Sequence, residues 1–219
     1  MADKDASRVA IWDVPVRLFH WLLVALLGFS WWSGERHDME WHRWSGYAIL
    51  TLLIFRIYWG FVGGRTARFA HFVRGPRTVA AYARSRAKAP TPPGHTPLGG
   101  WSVILMLAAL GMMVLAGLFA VDVDGLESGP LADYISFDQG RTAAEIHGII
   151  FNVLLFLTAL HMLAIVFYLV RGKNLIGPML TGTGKGDATQ ALHASWPRAL
   201  LGIALAISCA ALIARGFRL

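Results

Sequence analysis

At 219 residues, with 56% apolar and only 15% charged side chains and a mean hydropathy of +0.52, the chain holds more apolar surface than a water-soluble domain of this length buries. It reads as an integral membrane protein. The formal net charge of +7 does not point to nucleic acid, because nothing in the chain resembles a nucleic-acid-binding module and the cations gather in segments between apolar runs, where they set topology and meet lipid headgroups.

A polar lead, Met1 to Asp13, precedes the first apolar run, Val16 to Ser33. With no small-residue cleavage signal and further runs behind it, this run is read as a span and not as a removable signal peptide. The others are Trp44 to Val62, Trp101 to Val121, Ile146 to Val170 and the shorter Ala199 to Ala214. A bilayer crossing needs about 20 mainly apolar residues. Arg65, Arg68, Arg74, Arg77, Arg84, Arg86 and Lys88 precede the third span with no acid among them, and Pro90, Pro92, Pro93 and Gly94 make its approach stiff. Between the third and fourth, Asp122, Asp124, Glu127, Asp133, Asp138 and Glu145 face the single Arg141. The excess of cations predicts a cytoplasmic basic loop, and with it a cytoplasmic N-terminus, an outer acidic loop and an inner segment from Arg171 to Arg198. The expected fold is all-α: a four-helix membrane bundle with a fifth, C-terminal span.

Four histidines lie inside this apolar framework. His147 and His161 are fourteen residues apart with no charge between them. At about 100° and 1.5 Å per residue they fall within roughly 40° of one another, about 21 Å apart along the helix. His20 opens the first span at the inner side, and His42 opens the second at the outer side. Depth pairs His42 with His147 and His20 with His161. His37, His71, His95 and His193 sit near span ends and read individually as interfacial. Each level offers two imidazoles and no buried acid, too few for a bare zinc or iron site but the axial set of a six-coordinate haem iron. Because Cys209 is the only cysteine, disulfides, iron–sulfur ligation and C-x-x-C-H attachment are excluded, so such haems are non-covalent and of b type. Gly46, one turn from His42, and Gly148, beside His147, would let a flat macrocycle approach the backbone. Arg56 follows His42 by fourteen residues and needs an anion, a haem propionate or a lipid phosphate. Arg17, one turn before His20, is a weaker candidate of the same kind.

The motifs "WDVPVRLFHW", "EWHRWSGYAILTLLIFRIYWGFVG", "RGPRTVAAYA", "GHTPLGGW" and "EIHGIIFNVLLFLTALHMLAIVFY" occur in order between Ile11 and Leu180. The chain resembles the bacterial di-haem cytochrome b561 family, akin to the cytochrome b subunits of nickel–iron hydrogenases. The resemblance implies a four-helix core that holds two b haems through one histidine on the first helix, one on the second and two on the fourth, matching His20, His42, His147 and His161. Residues 1–180 are then the di-haem domain, and 181–219 a C-terminal extension. The resemblance also implies an inner-membrane protein that passes electrons between the quinone pool and a periplasmic cytochrome c, dehydrogenase or hydrogenase. On that basis the outer acids are expected to steer a basic partner. Quinone is expected beside the inner haem, near Arg17, Arg56, Arg68, Pro97 and His95, or else near the outer haem; His95 either carries protons at a pKa near neutrality, or caps the loop or binds a haem propionate. Two other readings are open: a stand-alone superoxide:ubiquinone oxidoreductase, which acidic outer loops disfavour by repelling the anion, and a histidine-based metal-ion carrier, for which the spans offer no acid-lined path.

Overall fold

The computed structural model describes residues 8–84, 94–185 and 195–218; Arg86, Lys88, Pro90, Pro92, Pro93 and His193 lie outside them. In chain order the elements are β1 (Arg8–Ala10), α1 (Val14–Glu35), α2 (Met39–Val62), α3 (Phe69–Phe72), α4 (Pro76–Arg84), α5 (Pro97–Phe119), α6 (Phe137–Val170), α7 (Ile176–Thr181), β2 (Thr183–Lys185) and α8 (Trp196–Ala214). Five of these helices, α1, α2, α5, α6 and α8, are long and apolar enough to cross a membrane.

Polar caps start the helices ahead of the apolar runs. Asp13 accepts the Val16 amide at 2.9 Å, with Pro15 in the first turn of α1, and Thr96 accepts the Gly99 amide at 3.0 Å at the head of α5. α6 begins at Phe137 and not at Ile146, because Ser136 and Gln139 form a reciprocal capping box. Its 34 residues span about 51 Å, longer than a hydrocarbon core of about 30 Å requires.

The bundle has two chemically distinct ends. The basic end gathers α3, α4, α7, the head of α5, and β1 paired antiparallel with β2, so the lead into α1 is held beside the chain that follows α6. Ile11 and Trp12 donate their amides to the Gly182 carbonyl, and Thr66 donates its hydroxyl to the Ile11 carbonyl at 2.7 Å. Arg17, Arg56, Arg65, Arg68, Arg74, Arg77, Arg84, Arg171 and Lys173 lie here with Asp13. The acidic end holds the α1–α2 turn, the connection from α5 to α6 and the C-terminus. There Arg43 pairs with Glu127, Arg218 pairs with Asp133, and the Tyr134 hydroxyl donates to the Gly216 carbonyl.

The backbones approach closely between α1 and α2, α5 and α6, and α2 and α8; among the described residues α6 makes no comparable approach to α1 or α2. Side chains bridge that gap at mid-depth. Ile49 and Leu53 of α2, Ala109, Leu110 and Met113 of α5, and Ile150 and Leu154 of α6 form a core against which Leu23, Leu26 and Leu27 of α1 pack. In sequence this layer falls between His42 and Arg56 on α2 and between His147 and His161 on α6, leaving the histidines above and below it. The fifth span is docked on α2 through its small residues, Ala199, Gly202, Ala206 and Ala210, all buried, a spacing that lets two backbones approach.

Candidate functional site

The helix packing brings His42 and His147 together at the acidic end. Their ring centroids lie 6.0 Å apart with planes at 77°. Two imidazoles that share one metal ion through Nε2 at about 2 Å each have centroids about 6 Å apart, so the two rings could hold one metal centre between them. Both rings are oriented from behind. His42 Nδ1 donates to the Ser30 carbonyl on α1 at 2.9 Å, and His147 Nδ1 donates to the Met113 carbonyl on α5 at 2.8 Å. A proton fixed on Nδ1 leaves Nε2 as a lone pair, the tautomer a metal ligand requires.

Two residues missed by the sequence reading make these contacts sterically possible. A Cβ built on Gly117 would meet His147 Nδ1 and Cε1 at 3.0 Å, and one on Gly34 would meet His42 Nδ1 at 3.2 Å. Both glycines lie on helices other than the histidine they accommodate, so proximity in sequence does not reveal them. Gly46 and Gly148 behave differently: a Cβ on either finds no heavy atom within 4 Å. The room beside the histidine-bearing helices is therefore present at the expected glycines, while the tight contacts are elsewhere.

At the basic end, His161 is near enough to act electrostatically on His20. His20 stands ten residues before Ser30 on α1, about 15 Å away along the axis. Its Nδ1 is buried without a partner, in contrast to the anchored rings of the other pair. Arg56 is only 3% exposed, stacks 5.0 Å over the Phe69 ring and leaves Nη1 unpartnered. A buried charge without compensation costs several kcal/mol. Arg17 is more committed, donating to the Leu180 carbonyl at the end of α7, with its buried Nε left without a partner.

His95, expected either to carry protons or to cap the loop or hold a propionate, is enclosed by aromatic rings. Its ring lies 4.7 Å from Trp12 and 4.4 Å from Phe72. Burial first, then the charges of Arg56 and His161, pushes its pKa down to about 3, so it stays neutral throughout the physiological range. Among the acids expected to steer a partner, Glu127 and Asp133 are occupied by Arg43 and Arg218, while Asp124 and Asp138 are exposed.

Among the described residues no three His, Cys, Asp or Glu side chains gather as a bare-metal site. What the bundle offers instead is paired imidazoles on opposite walls of a gap, with orphaned buried donors below one pair, and this donor set suits haem. A family model described as prokaryotic cytochrome b561 matches residues 11–182, which takes in α1 to α7 and all four histidines and ends before α8. No curated protein and no solved structure matches the chain. Covered by that family over most of its length, and carrying five helices fit to cross a bilayer, the chain belongs to the prokaryotic cytochrome b561 family, as a multi-pass bacterial membrane cytochrome b that binds haem b and transfers electrons.

Proposed function

We propose that this cytochrome holds two b haems, one between His42 and His147 and one between His20 and His161, and links the quinone pool to a periplasmic redox partner. The observation that supports this best is the division of four intramembrane histidines into two levels, with the layer of Ile49, Leu53, Leu110, Ile150 and Leu154 between them. When bound, haem supplies a one-electron redox centre at each level. The protein's part is positional. Ser30 and Met113 aim the acidic-end imidazoles, Gly34 and Gly117 admit them, and the apolar layer excludes water between the levels. The basic end is cytoplasmic by its excess of arginine, which puts the acidic end, with exposed Asp124 and Asp138, toward a periplasmic partner.

A shallow, half-open hollow of about 250 Å³ runs along one face of α1, the helix that bears His20, lined by Val14, Arg17, Leu18, Trp21 and Leu22. Its apolar walls and single guanidinium suit a quinone ring with a carbonyl acceptor. Arg17→Ala is expected to raise the KM for a quinone analogue several-fold while leaving both haem spectra unchanged; an unchanged KM rules the hollow out.

The direct test of the whole reading is a reduced-minus-oxidised spectrum of the purified protein with a haem-to-chain ratio. Two b haems per chain are expected, falling to one in His147→Ala and to one, of different spectrum, in His161→Ala. A single haem in the unmodified protein would overturn the two-level assignment.

A further inference from the structure

Five buried side-chain nitrogen or oxygen atoms among the described residues lack a hydrogen-bond partner, and four of them, on Arg17, His20, Arg56 and His95, are nitrogens at the basic end. Arg56 and His95 belong to one cluster although they lie on α2 and ahead of α5. The Arg56 guanidinium sits over Phe69, Phe69 contacts Phe72 at 5.7 Å, Phe72 contacts His95 at 4.4 Å, and Arg56 acts electrostatically on His95. The nearby acid does not close this cluster. Asp13 attracts Arg56, but its Oδ1 accepts the Val16 amide at 2.9 Å and its Oδ2 accepts the Trp59 indole at 3.0 Å. Among the described residues no ion pair to Arg56 forms.

An arginine 3% exposed is shut off from water, so its missing acceptor has to come from inside the bundle. Arg56 follows His42 by fourteen residues, about 21 Å along α2, which sets it at the depth of the other histidine pair. His161 acts electrostatically on both His20 and His95, so the cluster borders that pair. A planar fork of guanidinium donors, with the unpartnered Nδ1 of His95 in the same aromatic-walled cluster, matches a carboxylate. We propose that Arg56 and His95 form a carboxylate clamp that takes a propionate of the haem seated at His20 and His161, an assignment that rests on those two histidines holding a haem. The clamp fixes which edge of the porphyrin faces the basic end. It also leaves Arg56 as the buried cation nearest that centre, a charge that favours its reduced form.

The test uses full-length protein carrying His42→Ala, so that only the basic-end seat remains, depleted of haem and titrated with haem b and with its dimethyl ester, whose propionates are blocked. Free haem is expected to bind about tenfold more tightly than the ester, a preference that Arg56→Gln abolishes and Arg56→Lys retains in part. The midpoint potential of the bound haem is expected to fall in Arg56→Gln. His95→Gln, which keeps a neutral hydrogen-bonding group, is expected to preserve most of the preference and serves as the second variant where Arg56→Gln does not fold. Equal affinity for haem and ester in the parent, or a preference and potential indifferent to Arg56→Gln, overturns the clamp while leaving the seat intact. Loss of co-purifying phospholipid in Arg56→Gln with an unchanged haem preference also overturns it, assigning the site to phosphate. If the His42→Ala parent binds no haem, the seat at His20 and His161 itself is wrong, and the clamp falls with it.

Discussion

Gly117 and Gly46 separate two kinds of glycine near the His42 and His147 pair. At Gly117 the imidazole of His147 fills the place of a side chain, and at Gly46 nothing in the protein does. Gly117→Val is therefore expected to push His147 off the Met113 carbonyl and deplete chiefly the acidic-end haem, seen as a haem-to-chain ratio falling toward one with the other component intact. Gly46→Leu is expected to lower the same haem by occupying its space, with helicity by circular dichroism unchanged; full haem content in that variant would mean Gly46 faces lipid instead. The histidines themselves were legible in the sequence, because ionisable groups in apolar runs stand out and the helical repeat fixes their depth. The Ser30 and Met113 carbonyls that aim them were not, since every residue has a carbonyl and only the packing of α1 on α2 and of α5 on α6 selects which one is used. The surroundings of His95 were hidden for a related reason. Its sequence neighbours, Gly94, Thr96 and Pro97, read as a polar loop, whereas Trp12 and Phe72, remote in sequence, bury its ring.

At the scale of the helix, hydropathy located all five spans but misplaced the starts of α1, α5 and α6, because Asp13, Thr96 and Ser136 satisfy amides that a hydropathy window does not weigh. The partner of α8 was likewise invisible in its hydropathy, though the stripe of Ala199, Gly202, Ala206 and Ala210 carried the signal of close packing. Ala206 is fully buried, and a Cβ on Gly202 would lie 2.4 Å from the Tyr58 ring. Ala206→Leu is expected to destabilise the protein by about 1–3 kcal/mol through overpacking. The measurement is a thermal melt in detergent followed by haem absorbance. Because α8 carries none of the four histidines, both midpoint potentials should stay where they are in the unmodified protein; a shift in either would show that α8 also shapes a haem seat.

For the whole molecule, the separation of cations and anions that orients the chain also acts on any charge moved along its axis. A one-electron centre is more positive when oxidised, so arginines favour reduction at their end and acids favour oxidation at theirs. The haem left in His42→Ala, at the basic end, should accordingly show a higher midpoint potential than the haem left in His20→Ala, measured by redox titration in the same detergent. The reverse order would mean that ligand orientation or burial outweighs the fixed charges. With the basic end in the cytoplasm, as proposed, an electron travelling inward moves toward the negative side of an energised membrane. Crossing about 21 Å of a core of about 30 Å costs about 1.6 kcal/mol for each 100 mV of membrane potential. The buried Arg56 and the exposed arginines around it supply an opposing field, so the same residues that hold the chain the right way round would partly offset the electrical work of driving electrons inward, and would steepen the work of drawing them back out.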